Sequence, residues 1–172
     1  MDLFYIDIQK FREKHDKAFL KDYVEIDTKS EKRYYEHGIG RYLAKTAAKN
    51  FYDIKDTDII VENFKPRFKN SSINFNISHS KNYVVCIFDD APCAVDIEYM
   101  ANRNLKPLEK HYNQKFNSIF DFYSFWTKLE AEIKLQNKPI NTHTEIFMKE
   151  YMISIASVSL VDKTNLRFHD LT

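Results

Sequence analysis

Glycine is almost missing from this 172-residue chain: Gly38 and Gly40 are the only two. No segment can form the Gly-rich loop that brings backbone amides onto phosphate, which argues against P-loop and dinucleotide-binding proteins. Four prolines and no Gly/Ser-rich run leave no flexible linker. Two cysteines, Cys86 and Cys93, lie in or beside apolar runs at a spacing that matches no zinc pattern. Two buried, reduced thiols are expected there, with a disulfide as the alternative. A net charge of +1 gives no overall drive toward nucleic acid or an anionic membrane. No apolar run reaches membrane-spanning length, and residues 1–8 lack the charged-then-apolar form of a signal peptide, so a cytoplasmic protein is expected.

What is present is 44% hydrophobic and 30% charged, the balance of a soluble globular chain long enough for one sizeable core or two small packed lobes. Apolar runs, some alternating, predict strands at residues 3–8, 59–63, 73–77, 83–88 and 93–99. The turn residues Asp89-Asp90-Ala91-Pro92 predict that the last two pair as a hairpin. A short helix is expected within 9–23. Ser30 precedes a longer one over 31–52, with Ile39, Leu43, Ala47 and Phe51 on one stripe. Gly38 and Gly40 would weaken that helix by up to ~1 kcal/mol each relative to Ala, so close packing or a ligand should account for them. Further helices are expected near 105–112 and over 118–136, the latter ended by Asn137-Lys138-Pro139, and strands return at 145–148, 151–158 and 166–168. Helix followed by strands thus occurs twice.

The chemistry-bearing residues fall in three places. On a strand, Asp96 and Glu98 project together while Val95 and Ile97 face the other way. Two adjacent carboxylates repel unless a cation or proton sits between them, and a hard divalent ion suits them. On the 118–136 helix, Glu130 and Lys134 share a face at i, i+4, while Glu132 points elsewhere. Upstream, Phe75-Asn76-Ile77-Ser78-His79-Ser80 reads as ending in a polar turn that carries Ser78 and His79. Taken singly each has an ordinary explanation: a solvated strand face, a helix ion pair worth about 0.3–0.5 kcal/mol, a structural histidine. The aromatic residues from Phe120 to Trp126 could suggest a stacking platform for nucleic acid, but Phe122, Phe125 and Leu129 at helical spacing read as core.

Taken together, Asn-Ile-Ser-His-Ser at 76–80, Val-Asp-Ile-Glu at 95–98 and Trp-Thr-x-x-Glu-Ala-x-x-Lys at 126–134 resemble the 4′-phosphopantetheinyl transferase superfamily, and its Sfp-like branch most. The likeness runs from about Lys29 to Lys134. It implies an α+β fold of two pseudo-symmetric lobes, each a helix packed on a small antiparallel sheet. The N-terminal lobe would span 1–99 and the C-terminal lobe, with a shortened sheet, 100–172. It implies transfer of the 4′-phosphopantetheine arm of coenzyme A to a serine of an apo acyl or peptidyl carrier protein. Mg²⁺, with Mn²⁺ as the alternative, would sit on Asp96, Glu98 and Glu130, and Glu130 would also be the base. Ser78, His79 and Lys134 would contact phosphates, and Arg41, Lys65 and Arg33 would complete the coenzyme A site. A monomer that binds neither nucleic acid nor membrane is expected.

Two positions depart from the branch: Leu129 stands where lysine is usual, and Ala94 where glycine is frequent. Lys128 points about 100° away on the helix and cannot replace that lysine. Leu129 motivates a second reading, a degenerate relative that binds coenzyme A or a carrier protein without transfer. A third is a metal-dependent phosphoester hydrolase built on the same acids.

Overall fold

The computed structural model describes every residue except Phe64, Asn137 and Pro139. The first part of the chain forms β1 (Asp2–Asp7), α1 (Ile8–Lys14), a short 3-10 helix (Ala18–Tyr23), α2 (Glu31–Tyr52), β2 (Ile59–Glu62), β3 (Lys65–Phe68), β4 (Asn74–Ser80) and β5 (Tyr83–Asp89). There follow β6 (Cys93–Tyr99), α3 (Leu105–Tyr112), α4 (Ile119–Leu135), β7 (Asn141–Phe147), β8 (Tyr151–Ser157) and β9 (Arg167–Asp170). One sheet has the order β4-β5-β1-β9, a second β6-β8-β7, and β2 pairs with β3 alone. All pairs are antiparallel except β1–β9.

The two sheets stack between the two long helices. On β1 and β5, Phe4, Ile6, Val84, Cys86 and Phe88 share a core with Ile39, Leu43 and Ala47 of α2. Their neighbours Leu3, Val85 and Ile87 face the other way and pack on Val95, Ile97, Ile153 and Ile155 of the second sheet. A strand buried on both faces has no solvent side, which is why Val84–Phe88 is apolar at every position. Beyond the second sheet, Ala131 and Leu135 of α4 sit on Ala94 and Ala156. This is the α+β arrangement expected, one long helix on each sheet, although β9 gives the first sheet a parallel pair. Cys86 and Cys93 are buried free thiols, as expected.

Local signals were obeyed at the helix ends. Ser30 Oγ accepts from the Arg33 amide at the start of α2, and Ser118 Oγ from the Asp121 amide at the start of α4. α4 stops at Gln136 in a left-handed conformation; of its expected terminators, Asn137 and Pro139 lie outside the described residues. Close packing accounts for both glycines. A Cβ on Gly38 would stand 2.9 Å from Val24 Cγ2, and one on Gly40 3.1 Å from Ile77 Cγ2. No helix among the described residues is long and apolar enough to cross a membrane.

The expected β5–β6 hairpin is not formed. Both edges of β5 are taken, by β4 and by β1, so the turn at 89–92 instead carries the chain from the first sheet to the second. Nor do Ser78 and His79 lie in a turn: both belong to β4, which reaches Ser80 before Lys81 takes a left-handed turn conformation. β3 escaped notice because Pro66 reads as a strand breaker, yet an isolated two-stranded ribbon tolerates it.

β4 and β6 do not share a backbone ladder. Asn76 Oδ1 accepts from the Val95 amide at 3.0 Å, Ser78 Oγ from Ile97 at 3.3 Å and Ser80 Oγ from Tyr99 at 3.0 Å. Alternate side chains of one strand thus replace the carbonyls a neighbouring strand would supply. Removing one acceptor leaves a part-buried amide unpaired, at a cost of about 1–3 kcal/mol. Asn76→Ala should lower stability to urea by that amount, and an unchanged midpoint would show that this seam carries no load.

Candidate active site

The seam sets the acids. Each serine that caps a β6 amide also meets a β6 carboxylate: Ser78 Oγ donates to Asp96 Oδ1 at 3.1 Å and Ser80 Oγ to Glu98 Oε2 at 2.9 Å. Asp96 is 6% exposed. From α4, Lys134 Nζ reaches Asp96 Oδ1 at 2.6 Å, and also Ser78 Oγ and the Val95 carbonyl, each at 3.1 Å. Burial pushes the Asp96 carboxyl above the usual carboxylate range; the Lys134 charge and hydrogen bond oppose this, and neighbouring Glu98 adds to it.

Lys134 therefore pairs with Asp96 of β6, on the sheet face that α4 covers, rather than merely along its own helix. Asp96 Oδ2 is buried and has no partner among the described residues. Glu98 borders a cavity of about 220 Å³ with Arg103, Tyr123 and Trp126. Glu130 is half-buried on α4, one turn from both Trp126 and Lys134. Among the described residues no three Asp, Glu, His or Cys side chains are gathered into a group that could hold a metal ion. Asp96 and Glu98 thus stand together, and Glu130 is not drawn in with them. Two oxygen donors, one of them buried and unpaired, still fit Mg²⁺, which takes one or two protein carboxylates and completes its shell with water and phosphate oxygens.

On the opposite face of β4, His79 points to α2. Its Nδ1 lies 3.4 Å from Glu36 Oε1, and Lys32 Nζ lies 3.5 Å from the same oxygen. A cavity of about 350 Å³ opens here, bounded by Arg33, Glu36, His37, Gly40, Arg41 and His79. Arg41, 7% exposed, pairs through Nη2 with Glu25 at 2.9 Å. Its Nη1 and the Nδ1 of His37 are buried without partners among the described residues. Burial holds both imidazoles below the usual histidine range; Arg41 reinforces this at His37, and Glu36 opposes it at His79. A buried guanidinium nitrogen without an acceptor is a seat for an anionic oxygen.

Of the residues singled out in the sequence, Arg33, Arg41 and His79 therefore meet in one cavity, and Ser78, Asp96, Glu98 and Lys134 meet on the other side of β4. Lys65 joins neither group directly. Its ammonium donates to the Leu135 carbonyl at the end of α4, in a third cavity of about 290 Å³ that it shares with Lys134 and Asn76. Ser78 is spent on Asp96, Lys134 and the Ile97 amide. Glu36 and His37 belong to none of the three motifs. The available signal was spacing: Glu36 and Gly40 are four apart, so both look onto β4 where the missing Cβ makes room.

No protein-family model matches the chain. Over 126 residues it is 32% identical to a 4′-phosphopantetheinyl transferase of Bacillus subtilis, covering 63% of this chain and 55% of that one. A 4′-phosphopantetheinyl transferase of Aneurinibacillus migulanus, gsp, is 30% identical over 89 residues, 44% and 38% of the two chains. The transferase Sfp of Bacillus subtilis is 26% identical over 123 residues, 63% and 55%. The chain spans about half the length of the curated relatives it matches. The resemblance read from the three motifs is thus met by similarity to named members of that group.

The raised carboxyl of Asp96 has a consequence for stability. Its folded pKa lies above the unfolded value, so stability falls as pH rises from the unfolded carboxylate range through the folded value, and the loss persists at neutral pH. Asp96→Asn should therefore show a smaller decline in melting temperature between acid and neutral pH than the parent. A decline equal to the parent's would contradict the burial penalty.

Proposed function

We propose that the protein transfers the 4′-phosphopantetheine arm of coenzyme A to a serine of an apo acyl or peptidyl carrier protein and releases adenosine 3′,5′-bisphosphate. The observation that supports this best is the pairing of two unlike sites across β4. One face offers an anion seat built on Arg41 Nη1, and the other offers Asp96 and Glu98 beside Lys134. A nucleotide that ends in a 3′-phosphate and carries a pyrophosphate needs both.

In this reading the lobe built on α2 and the first sheet holds the nucleotide, with Arg41, Arg33 and His79 on the 3′-phosphate and Lys65 at the edge of the coenzyme A site. Neutral or charged, His79 can donate a hydrogen bond there. Lys134 offers its charge to the pyrophosphate oxygens while its three N–H groups hold Asp96, Ser78 and the Val95 carbonyl, and Ser78 acts by orienting Lys134 and Asp96. The lobe built on α4 and the second sheet presents Glu130, which takes the proton of the attacking serine as its oxygen bonds to phosphorus and the bond to the departing nucleotide phosphate breaks. A carboxylate is a weak base for a hydroxyl, so this requires hydrogen-bond contact in the complex. Mg²⁺, or Mn²⁺ in its place, would be held by Asp96 and Glu98 with Glu130 approaching it, and would neutralise charge on the pyrophosphate. Leu129 supplies no phosphate contact where lysine is usual, leaving Lys134 as the α4 cation on that face.

The test is intact-mass spectrometry of a panel of apo carrier proteins incubated with the protein, coenzyme A and Mg²⁺. A gain of one phosphopantetheine is expected, slowed by about 10²-fold or more in Glu130→Gln. No gain on any carrier, with coenzyme A binding demonstrated by calorimetry, would replace transfer by the binding-only reading.

A further inference from the structure

One buried polar cluster has no part in the roles above. Pair by pair across the second sheet, Asp96 lies opposite Ser154 and Ser154 opposite Thr144. The middle row of the face under α4 is therefore polar on all three strands. α4 inserts Thr127 into it: Thr127 Oγ1 is 2.8 Å from Ser154 Oγ, which is 2.7 Å from Thr144 Oγ1. Thr127 and Ser154 are both wholly buried.

The proton order is fixed. Thr127 donates to the Tyr123 carbonyl, at 2.9 Å, and a carbonyl can only accept. Ser154 must then donate to Thr127, and Thr144 to Ser154. Each hydroxyl gives one hydrogen bond and the chain closes on helix backbone.

We infer that this hydroxyl chain is a positioning device for Glu130. α4 is tied to the polar row at two points, Thr127 on Ser154 and Lys134 on Asp96, and Glu130 lies between them, three residues after the first and four before the second. Ala131 against Ala94 and Ala156 lets the helix sit close but, being apolar and small, fixes neither its rotation nor its height. A slide of the helix would leave buried hydroxyls unpaired, so directional bonds hold what the alanine contact cannot. This rests on the transfer reading, in which Glu130 must meet the serine at hydrogen-bond distance, where a displacement of about 1 Å can cost on the order of 10²-fold in rate.

Thr127→Val keeps the shape and deletes the hydroxyl. It should lower kcat per folded molecule by about tenfold or more while leaving KM for coenzyme A unchanged, and Thr127→Ser should restore kcat. Ser154→Ala, read in the same way, should show the same split and serves if Thr127→Val does not fold. A kcat equal to wild type in the folded variants, or a change confined to KM or to melting temperature, would overturn the positioning role and leave the transfer reading standing. A wild-type protein that modifies no carrier would overturn the transfer reading, and the positioning role with it.

Discussion

The site hangs on the seam between β4 and β6. Two sheets that belong to different helices meet there through three side chains, Asn76, Ser78 and Ser80, each accepting from an amide of β6. Backbone ladders hold strands about 4.7–4.9 Å apart and leave side chains to face the sheet normals. Here the side chains themselves bridge, so one strand serves as the edge of the first sheet and as the wall against which the second is placed. The first and second motifs are thus halves of one contact: Ser78 with Asp96 and Ser80 with Glu98.

From that seam the electrostatics follow. Forcing β6 against β4 buries Asp96 far enough to raise its carboxyl, and Lys134 arrives from α4 as the counter-charge. An acid that is buried, half-satisfied and next to a second acid is poor for stability and suited to holding cationic or phosphate chemistry. The other face of β4 is built by different means. Gly40 lets α2 approach Ile77, and His79, two residues along, comes up against Glu36. One seven-residue strand thereby divides the Arg41 cavity from the acids, and a single ligand reaching both would have to pass beside it.

Much of this was legible. The spans of α2, α3, β5 and β6 and the cap at Ser30 follow from periodicity and capping chemistry, which are local, and the grouping of Arg33 with Arg41 was implied by the family resemblance. What escaped were choices made by partners distant in sequence. The hairpin drawn at 89–92 failed because β1, some eighty residues earlier in the chain, already holds the edge of β5. The polar neighbours of Ser78 suggested a turn, whereas in the strand its hydroxyl meets Asp96, Lys134 and the Ile97 amide. Lys134 looked like the partner of Glu130 by helical spacing, but a carboxylate buried on another element is the stronger claimant. His37 has no motif at all, and only burial beside Arg41 sets it apart.

In the proposed function the seam brings the Arg41 cavity and the Asp96–Glu98 pair within the span of one nucleotide. Crystals grown with coenzyme A and Mn²⁺ test it most directly, because anomalous scattering locates the ion independently of the ligand. The ion is expected on Asp96 and Glu98 and the 3′-phosphate against Arg41 on the other side of β4. An ion bound elsewhere, or a coenzyme A molecule that leaves the Arg41 cavity empty, would contradict it.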